Sequence, residues 1–407
     1  MAMATVSSAA IPAHVPHDLV LPFPLVLGAT TTEDPFERMI PDIHQWPEIF
    51  WSTNVYPGAG PAWVLRRAAD LRAVYQDTTN FSSMHFAPFA KLIGESWFEV
   101  PVEADPPLHG MYRAVLNPLF APKRMQALEA GVRASARSYA ERLRDRGECE
   151  LMQDFAFPFP VSVFLDLVGL PQARMAEFLA WERAMLHEPD MGKVADAVRN
   201  TVGYLREVIA ERRHNPGDDF ISYGIKVEMQ GRKLSDDELV GYCFNLYLGG
   251  LDTVSTNIAL QFRHLAEHPQ DQLRLRQEPE FIPTALEELL RAYAAVTTFR
   301  TCVKETQIGG VTMKPGDKVA MSTTLACRDP AEYEEPNQVR LDRQPAHISF
   351  AYGPHRCIGS HLARREMQIA LEEFLRAIPQ FRIQPGARIV THLGGIIQPE
   401  TLPLVWK

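Results

Sequence analysis

From Ser235 to His268 the chain carries apolar residues at helical spacing for more than 30 residues, with no proline inside the run. Ser235-Asp-Asp-Glu238 opens it as a capping box, in which hydroxyl and carboxylate satisfy exposed N–H groups reciprocally, and Pro269 stops it. At 1.5 Å per residue such a helix is about 45–50 Å long. A helix of that length crosses a whole globular molecule, so the rest of the chain has to be built around it. Gly249 and Gly250 sit side by side in its interior, each costing about 1 kcal/mol relative to alanine. Something must approach the backbone at that point to justify them.

The remaining periodicity predicts a mainly α fold with a minor β part. Helical spacing appears at Ala62 to Gln76, Val132 to Arg144, Pro160 to Val168, Arg174 to Leu186, Val194 to Arg213, Pro283 to Ala294 and Ile358 to Ile378. Tyr223 to Lys233 reads as a hairpin. Ile308 to Met313, Lys318 to Met321 and the tail from Phe381 to Trp406 read as strands and turns, and Arg328 to Cys357 as a long irregular stretch. No linker, low-complexity tract or internal repeat divides the 407 residues, so a single domain over 1–407 is expected, β-rich at its N-terminal side.

The net charge of −9 argues against a general nucleic-acid binder. Five cysteines, odd in number and without a CxxC pair, argue against a disulfide framework and for a reducing compartment. The apolar run from Leu19 to Gly28 is interrupted by Pro22 and Pro24 and lacks a basic segment before it. It is too short for a membrane span and unlike a secretory signal. A cytoplasmic monomer is the expectation.

The segment Phe350-Ala-Tyr-Gly-Pro-His-Arg-Cys357-Ile-Gly359 leads directly into a helix. A cysteine there meets free N–H groups and the positive end of the helix dipole, both of which favour the thiolate that binds metal. Gly353 and Gly359 let the backbone turn and a flat cofactor come close, and Phe350 can shield the sulfur. A lone cysteine in a turn is ordinarily structural. A zinc site would recruit His355 and His361, but no second ligand pair lies nearby.

Three further patterns accompany the loop. Thr253, with Asp252 before it, follows the glycine pair; a mid-helix threonine ordinarily bonds back to the preceding turn. Glu288-Leu-Leu-Arg291 is an i,i+3 ion pair, ordinarily a solvated surface contact. His109 and Arg113 form a basic i,i+4 pair after Asp105-Pro-Pro.

Together, the spacing Phe-x-x-Gly-x-x-x-Cys-x-Gly, followed by His361-Leu-Ala-Arg-Arg-Glu366 and joined by these patterns in order, resembles the cytochrome P450 superfamily. The similarity covers nearly the whole chain and is to the camphor-hydroxylating branch of bacterial enzymes, through Phe81-Ser-Ser, Asp105-Pro-Pro, Gly249-Gly250-Leu-Asp252-Thr253, Glu287-Glu288 and Leu402-Pro-Leu-Val-Trp406. The resemblance implies haem b between the long helix and the cysteine loop, with Cys357 as iron ligand. It implies His109, Arg113, Arg300 and His355 on the haem propionates, and Glu288, Arg291 and Arg343 as a structural ion network. It further implies proton delivery to dioxygen by Asp252 and Thr253, and electrons from a [2Fe–2S] ferredoxin and its NADH-linked reductase, docking around Arg113 and Arg365.

In the implied pocket, Phe86 or Phe89, Trp97, Leu248, Val296, Ile396 and Ile397 supply an apolar wall. Trp97 and Asn245 are the groups able to donate to a substrate oxygen. Trp97 stands where the camphor enzyme has a tyrosine, Glu99, Val102 and Thr298 also depart from it, and Met84 replaces a residue of its potassium site, so no such cation is predicted. The resulting expectation is a monooxygenase acting on a compact terpenoid that carries one oxygen, resembling camphor, cineole or ionone. A peroxygenase or a non-catalytic haem sensor or carrier stays open as an alternative at this point.

Overall fold

The computed structural model describes residues 11–56 and 60–406. Helix dominates, and three apolar clusters hold the helices together. The longest helices, Pro122–Arg144 and Met191–His214, begin at a proline in the first turn and at an Asp190 side-chain cap respectively. Pro122–Arg144 lies against Ser360–Ala377. Ion pairs seal that contact: Arg133 Nη1 reaches Glu372 and Glu373, and Arg137 Nε reaches Glu373 Oε2 at 3.0 Å.

The long helix forms where the capping box predicts, with both reciprocal hydrogen bonds at Ser235 and Glu238. It is not continuous. Asp236–Leu251 ends and Thr253–Glu267 begins on either side of Asp252, which keeps right-handed helical angles (φ −99°, ψ −40°), so the interruption is a single residue. The two glycines also divide their work. A Cβ on Gly250 would fall 2.2 Å from the Phe164 ring of the Pro158–Val168 helix, so this glycine serves helix packing, whereas a Cβ on Gly249 would meet nothing within 4 Å.

Two expectations are corrected. Ala62 to Gln76 is not one helix: Gly60–Leu65 is a strand, and only Ala68–Gln76 is helical. The strand lies inside a five-stranded sheet ordered Ile49–Tyr56, Gly60–Leu65, Lys318–Ser322, Thr297–Cys302, Phe81–Ser82. Parallel pairing of Trp63 with Val319 and antiparallel pairing with Trp51 bury it on both sides. A short apolar run buried this way has no period of its own to read. Tyr223 to Lys233 is likewise not all hairpin. Asp219 caps a helix at Phe220–Lys226, accepting from the Ser222 N–H, and the hairpin is confined to Glu228–Met229 and Arg232–Lys233.

The stretch from Arg328 to Cys357 is irregular, as expected, but buried arginines satisfy part of its backbone and tie its start to the rest of the fold. Arg291 donates to the carbonyls of Cys327, Pro336 and Gln338 at 2.9, 2.9 and 3.1 Å. Arg328 donates to Ala292 and Phe36 at 2.8 and 2.9 Å. A segment with no ladder of its own needs such partners to be buried. Among the described residues, no helix is long and apolar enough to cross a membrane.

Candidate functional site

The irregular segment ends in a loop whose shape is set by backbone. Ala351 and Gly353 take positive φ, and a side chain on Gly353 would press within 2.8 Å of the Tyr75 carbonyl. The Cys357 N–H closes the loop by donating to the Phe350 carbonyl at 2.9 Å. Phe350 is half-buried, and the Arg364 guanidinium lies 4.5 Å over its ring.

Cys357 is accessible, unlike the four buried cysteines, yet it lies deep in the protein. Its accessible surface therefore faces an internal space. Burial is the largest influence on the thiol and raises its pKa, while the Gly359 amide and then Arg113, Arg356 and Arg364 act the other way. The helix itself starts only at Ser360, and burial disfavours the charged form of the thiol.

Beside the loop, four basic side chains crowd together. The rings of His109 and His355 lie 4.0 Å apart. Burial, then Arg113 and Arg300, lowers His109 to about 4. Burial, then Arg300, His109 and Arg113, lowers His355 to about 2. Arg300 is almost fully buried, donates to the Phe299 carbonyl at 2.7 Å and stacks over Tyr75. Arg113 is half-buried and donates to the Arg356 carbonyl at 2.9 Å. His109 Nε2 is buried with no hydrogen-bond partner. Two guanidinium cations beside two imidazoles held neutral, one of them with an orphaned ring nitrogen, are what a pair of carboxylates would relieve. The haem that the resemblance implies fits this donor set: a soft sulfur ligand faces an internal space, and two arginines with two imidazoles line its edge.

The helix opposite offers a strip of different character from its surroundings. Its neighbours are buried, but Asn245 and Leu248 are half-buried, Gly249 is exposed and Thr253 half-buried. These positions recur at i, i+3, i+4 and i+8, one face of a helix. Thr253 Oγ1 bonds back to the Gly249 carbonyl at 3.2 Å. The neighbouring Asp252 is buried and turned the other way, one carboxylate oxygen accepting from Gln398 Nε2.

The apolar residues are brought together in two groups. Phe244, not singled out from the sequence, packs its ring at a tilt against Phe89 at 5.5 Å and Trp97 at 4.8 Å. Val296 and Ile396 form an isolated antiparallel bridge. Phe86 is half-buried against the main core, and Ile397 is fully buried within it rather than at an open surface. Trp97 requires a correction: its indole N–H donates to Glu95 Oε2 at 2.7 Å, and Arg206 holds the same carboxylate. It is not available to a substrate oxygen.

Glu288 accepts from Arg291 at 2.7 and 2.8 Å and from Arg343 Nε at 3.2 Å, and the first two residues are completely buried. Its neighbour Glu287, outside the expected network, accepts from Arg364 at 2.6 and 2.8 Å and pairs with His347 at 3.0 Å. Burial opposes the Glu287 charge, but these hydrogen bonds outweigh it and bring the carboxyl down to about 2. Asp105 was also missed as an active support. It accepts from Ser82 and from the Ser83 N–H, and Ser83 Oγ in turn meets His355 Nε2 at 3.2 Å.

Known proteins resemble this chain in sequence and fold. The sequence profile of the family described as Cytochrome P450 matches residues 161–401. The chain is 40% identical to "Probable cytochrome P450 127A1" of Sinorhizobium fredii, over 97% of both proteins. The crystal structure of CYP101C1 superposes with a TM-score of 0.85 at 33% identity, covering 98% of this chain and 100% of that one. That of CYP101J2 gives 0.84 at 31% identity, covering 98% and 99%.

Proposed function

Because this chain belongs to the cytochrome P450 family, we propose that it hydroxylates an unactivated C–H bond of a compact terpenoid with O₂ and ferredoxin-supplied electrons. The single observation that carries the substrate class is the composition of the open strip and its surroundings. Phe89, Leu248, Val296 and Ile396 are apolar, Asn245 is the one amide among them, and no lysine or arginine joins them. Such a wall binds mainly by apolar burial, at roughly 25 cal/mol per Å², and orients its ligand through one or two polar contacts. Asn245 can donate to a ketone or ether oxygen. A fatty acid would need a cation for its carboxylate.

When bound, haem b supplies the oxygen-activating chemistry of the family, and Cys357 is the residue that would ligate its iron. His109, Arg113, Arg300 and His355 would hold its propionates. Phe350 and the Arg364 guanidinium cover the loop and limit water at the sulfur. Gly249 leaves room beside the helix, Thr253 Oγ1 holds a proton at that open strip, and Asp252 replaces it. Arg113 and Arg365 belong to the face on which an acidic [2Fe–2S] ferredoxin would dock.

A spin-state titration of the holoenzyme with camphor, cineole, ionone and a medium-chain fatty acid tests the substrate class. A high-spin shift with one or more of the terpenoids is expected. A strong shift only with the fatty acid refutes it. The ligand assignment has its own check: Cys357→His should abolish the thiolate-type carbonyl spectrum of the reduced protein.

A further inference from the structure

Five buried polar atoms without a hydrogen-bond partner stand out around the break in the long helix, where most buried polar groups should be paired. Asp252 Oδ2 lies at the break itself, His187 Nε2 and Glu182 Oε1 come from the Met175–His187 helix, Thr201 Oγ1 from Met191–His214, and Thr391 Oγ1 from the strand that contains His392. Asp252 Oδ2 lies 3.8 Å from His187 Nε2. Gln398 Nε2 fixes the other oxygen, Oδ1, and also meets Thr256 Oγ1 at 2.7 Å. That leaves Oδ2 free on the side of the imidazole.

The second face of His187 leads outward. Its ring lies 4.8 Å from that of the half-buried His392. Arg183 Nη2 is 3.4 Å from His392 Nε2 and 2.5 Å from Glu400 Oε1. Arg183 and Glu400 are 47% and 37% exposed, so this edge meets bulk water, whereas His187 and Asp252 are 5% and 3% exposed. The charged and titratable groups around His187 are thus Asp252, Glu182, His392, Arg183 and Glu400. Glu182 is completely desolvated, and burial, then the charge of Asp252, raises its carboxyl well above the usual range.

We propose that His187 returns protons to Asp252 from solvent at the His392–Arg183–Glu400 edge, making it a positioning and proton-carrying residue for the reaction. This rests on the reading of Asp252 as a proton donor given above. In the step, neutral His187 takes a proton from a hydronium ion at that edge, which is left as water, and becomes imidazolium. Its Nε2–H bond then breaks and an O–H bond forms at Asp252 Oδ2, leaving a neutral imidazole and a carboxylic acid. No electrons change hands. The 3.8 Å separation closes by a small rotation of either side chain, or through one water. Histidine suits the task because its unperturbed charge change falls in the physiological range.

Two measurements on the full-length holoenzyme test this. In the diamagnetic reduced carbon-monoxide form, with ¹⁵N-histidine label, Asp252→Asn should shift the His187 ring resonances and leave those of the distant His264 in place. Separately, dioxygen uptake driven by a photochemical electron donor, with no substrate added, is compared in H₂O and D₂O. His187→Gln should slow uptake by about tenfold, below the usual general acid–base contribution because water can substitute in part, and should enlarge the isotope effect. His392→Gln, at the tolerant edge, should slow it less. Slow uptake in Asp252→Asn with normal uptake in His187→Gln overturns the role of His187 and keeps that of Asp252. Normal uptake in both overturns both. His187 resonances unmoved by Asp252→Asn also overturn the proposal, whatever the rates.

Discussion

The Trp97 indole N–H donates to Glu95 at 2.7 Å, and Arg206 grips that carboxylate with both terminal nitrogens at 2.8 and 2.9 Å. The aromatic side chain is thereby anchored, and under the proposed function Asn245 is the amide that would meet a substrate oxygen. One hydrogen bond is worth about 1 ± 0.5 kcal/mol net, which is several-fold to about tenfold in affinity. Asn245→Leu should therefore remove most of the preference for camphor over bornane, its ketone-free analogue, in spin-state titrations. Trp97→Phe should preserve that preference while weakening both ligands. The reverse pattern would return the polar contact to Trp97.

Thr253 Oγ1 spends its hydrogen on the Gly249 carbonyl, a contact of little consequence for stability. Thr253→Ala should accordingly fold normally and keep consuming NADH in the presence of ferredoxin, reductase and a terpenoid that gives the spin shift. Most of those electrons should appear as hydrogen peroxide, and Thr253→Ser should restore coupling. Unchanged product yield per NADH in the alanine variant would remove Thr253 from the proton path.

Glu288 and Arg291 have no solvent contact at all, and Arg343 closes the group from the irregular segment. Deleting one member of a buried pair strands the other, at a cost of about 3–5 kcal/mol. Glu288→Gln should lose that much stability in urea unfolding and release haem. Arg343→Leu, which leaves the inner pair intact, should lose clearly less. Equal losses would make the third arginine an equal partner.

The acid side of the stability profile should report Glu287. Its carboxyl is lowered from 4.5 to about 2 by Arg364 and His347, so the folded state binds its proton more weakly than the unfolded chain. The resulting stabilisation is complete above about pH 4.5 and is lost as pH falls through about 2. Glu287 is half-exposed, which screens the effect. Glu287→Gln should flatten the pH dependence of the haem Soret band in that window. The difference between variant and parent should be constant above it. A difference that grows with pH above 4.5 would contradict the assignment.

Reading this fold from its sequence worked where the signal was local. The capping box at Ser235 and Glu238 forms as written, and the helices at Pro158–Val168 and Ser360–Ala377 fall within about two residues of the periodic pattern. The strand at Gly60–Leu65 was lost because its identity comes from neighbours far apart in the chain, Trp51 on one side and Val319 on the other. The same held for Trp97: nothing in its own segment reveals that Arg206 will orient Glu95 toward it.

The sequence by itself determined the chemistry that depends on short spacing: a cysteine between two glycines before a helix, a Glu–Arg pair one turn apart, and a threonine after a glycine pair. These are fixed by a few consecutive residues, whose geometry the backbone dictates. Only the tertiary structure decided what each of them faces. It broke the long helix at Asp252, turned Gly250 toward Phe164 and Gly249 toward open space, and set His187 beside a carboxylate 65 residues further along the chain. Those outcomes follow from burial and from the need to pair, or leave unpaired, polar groups that meet only once separate segments have packed.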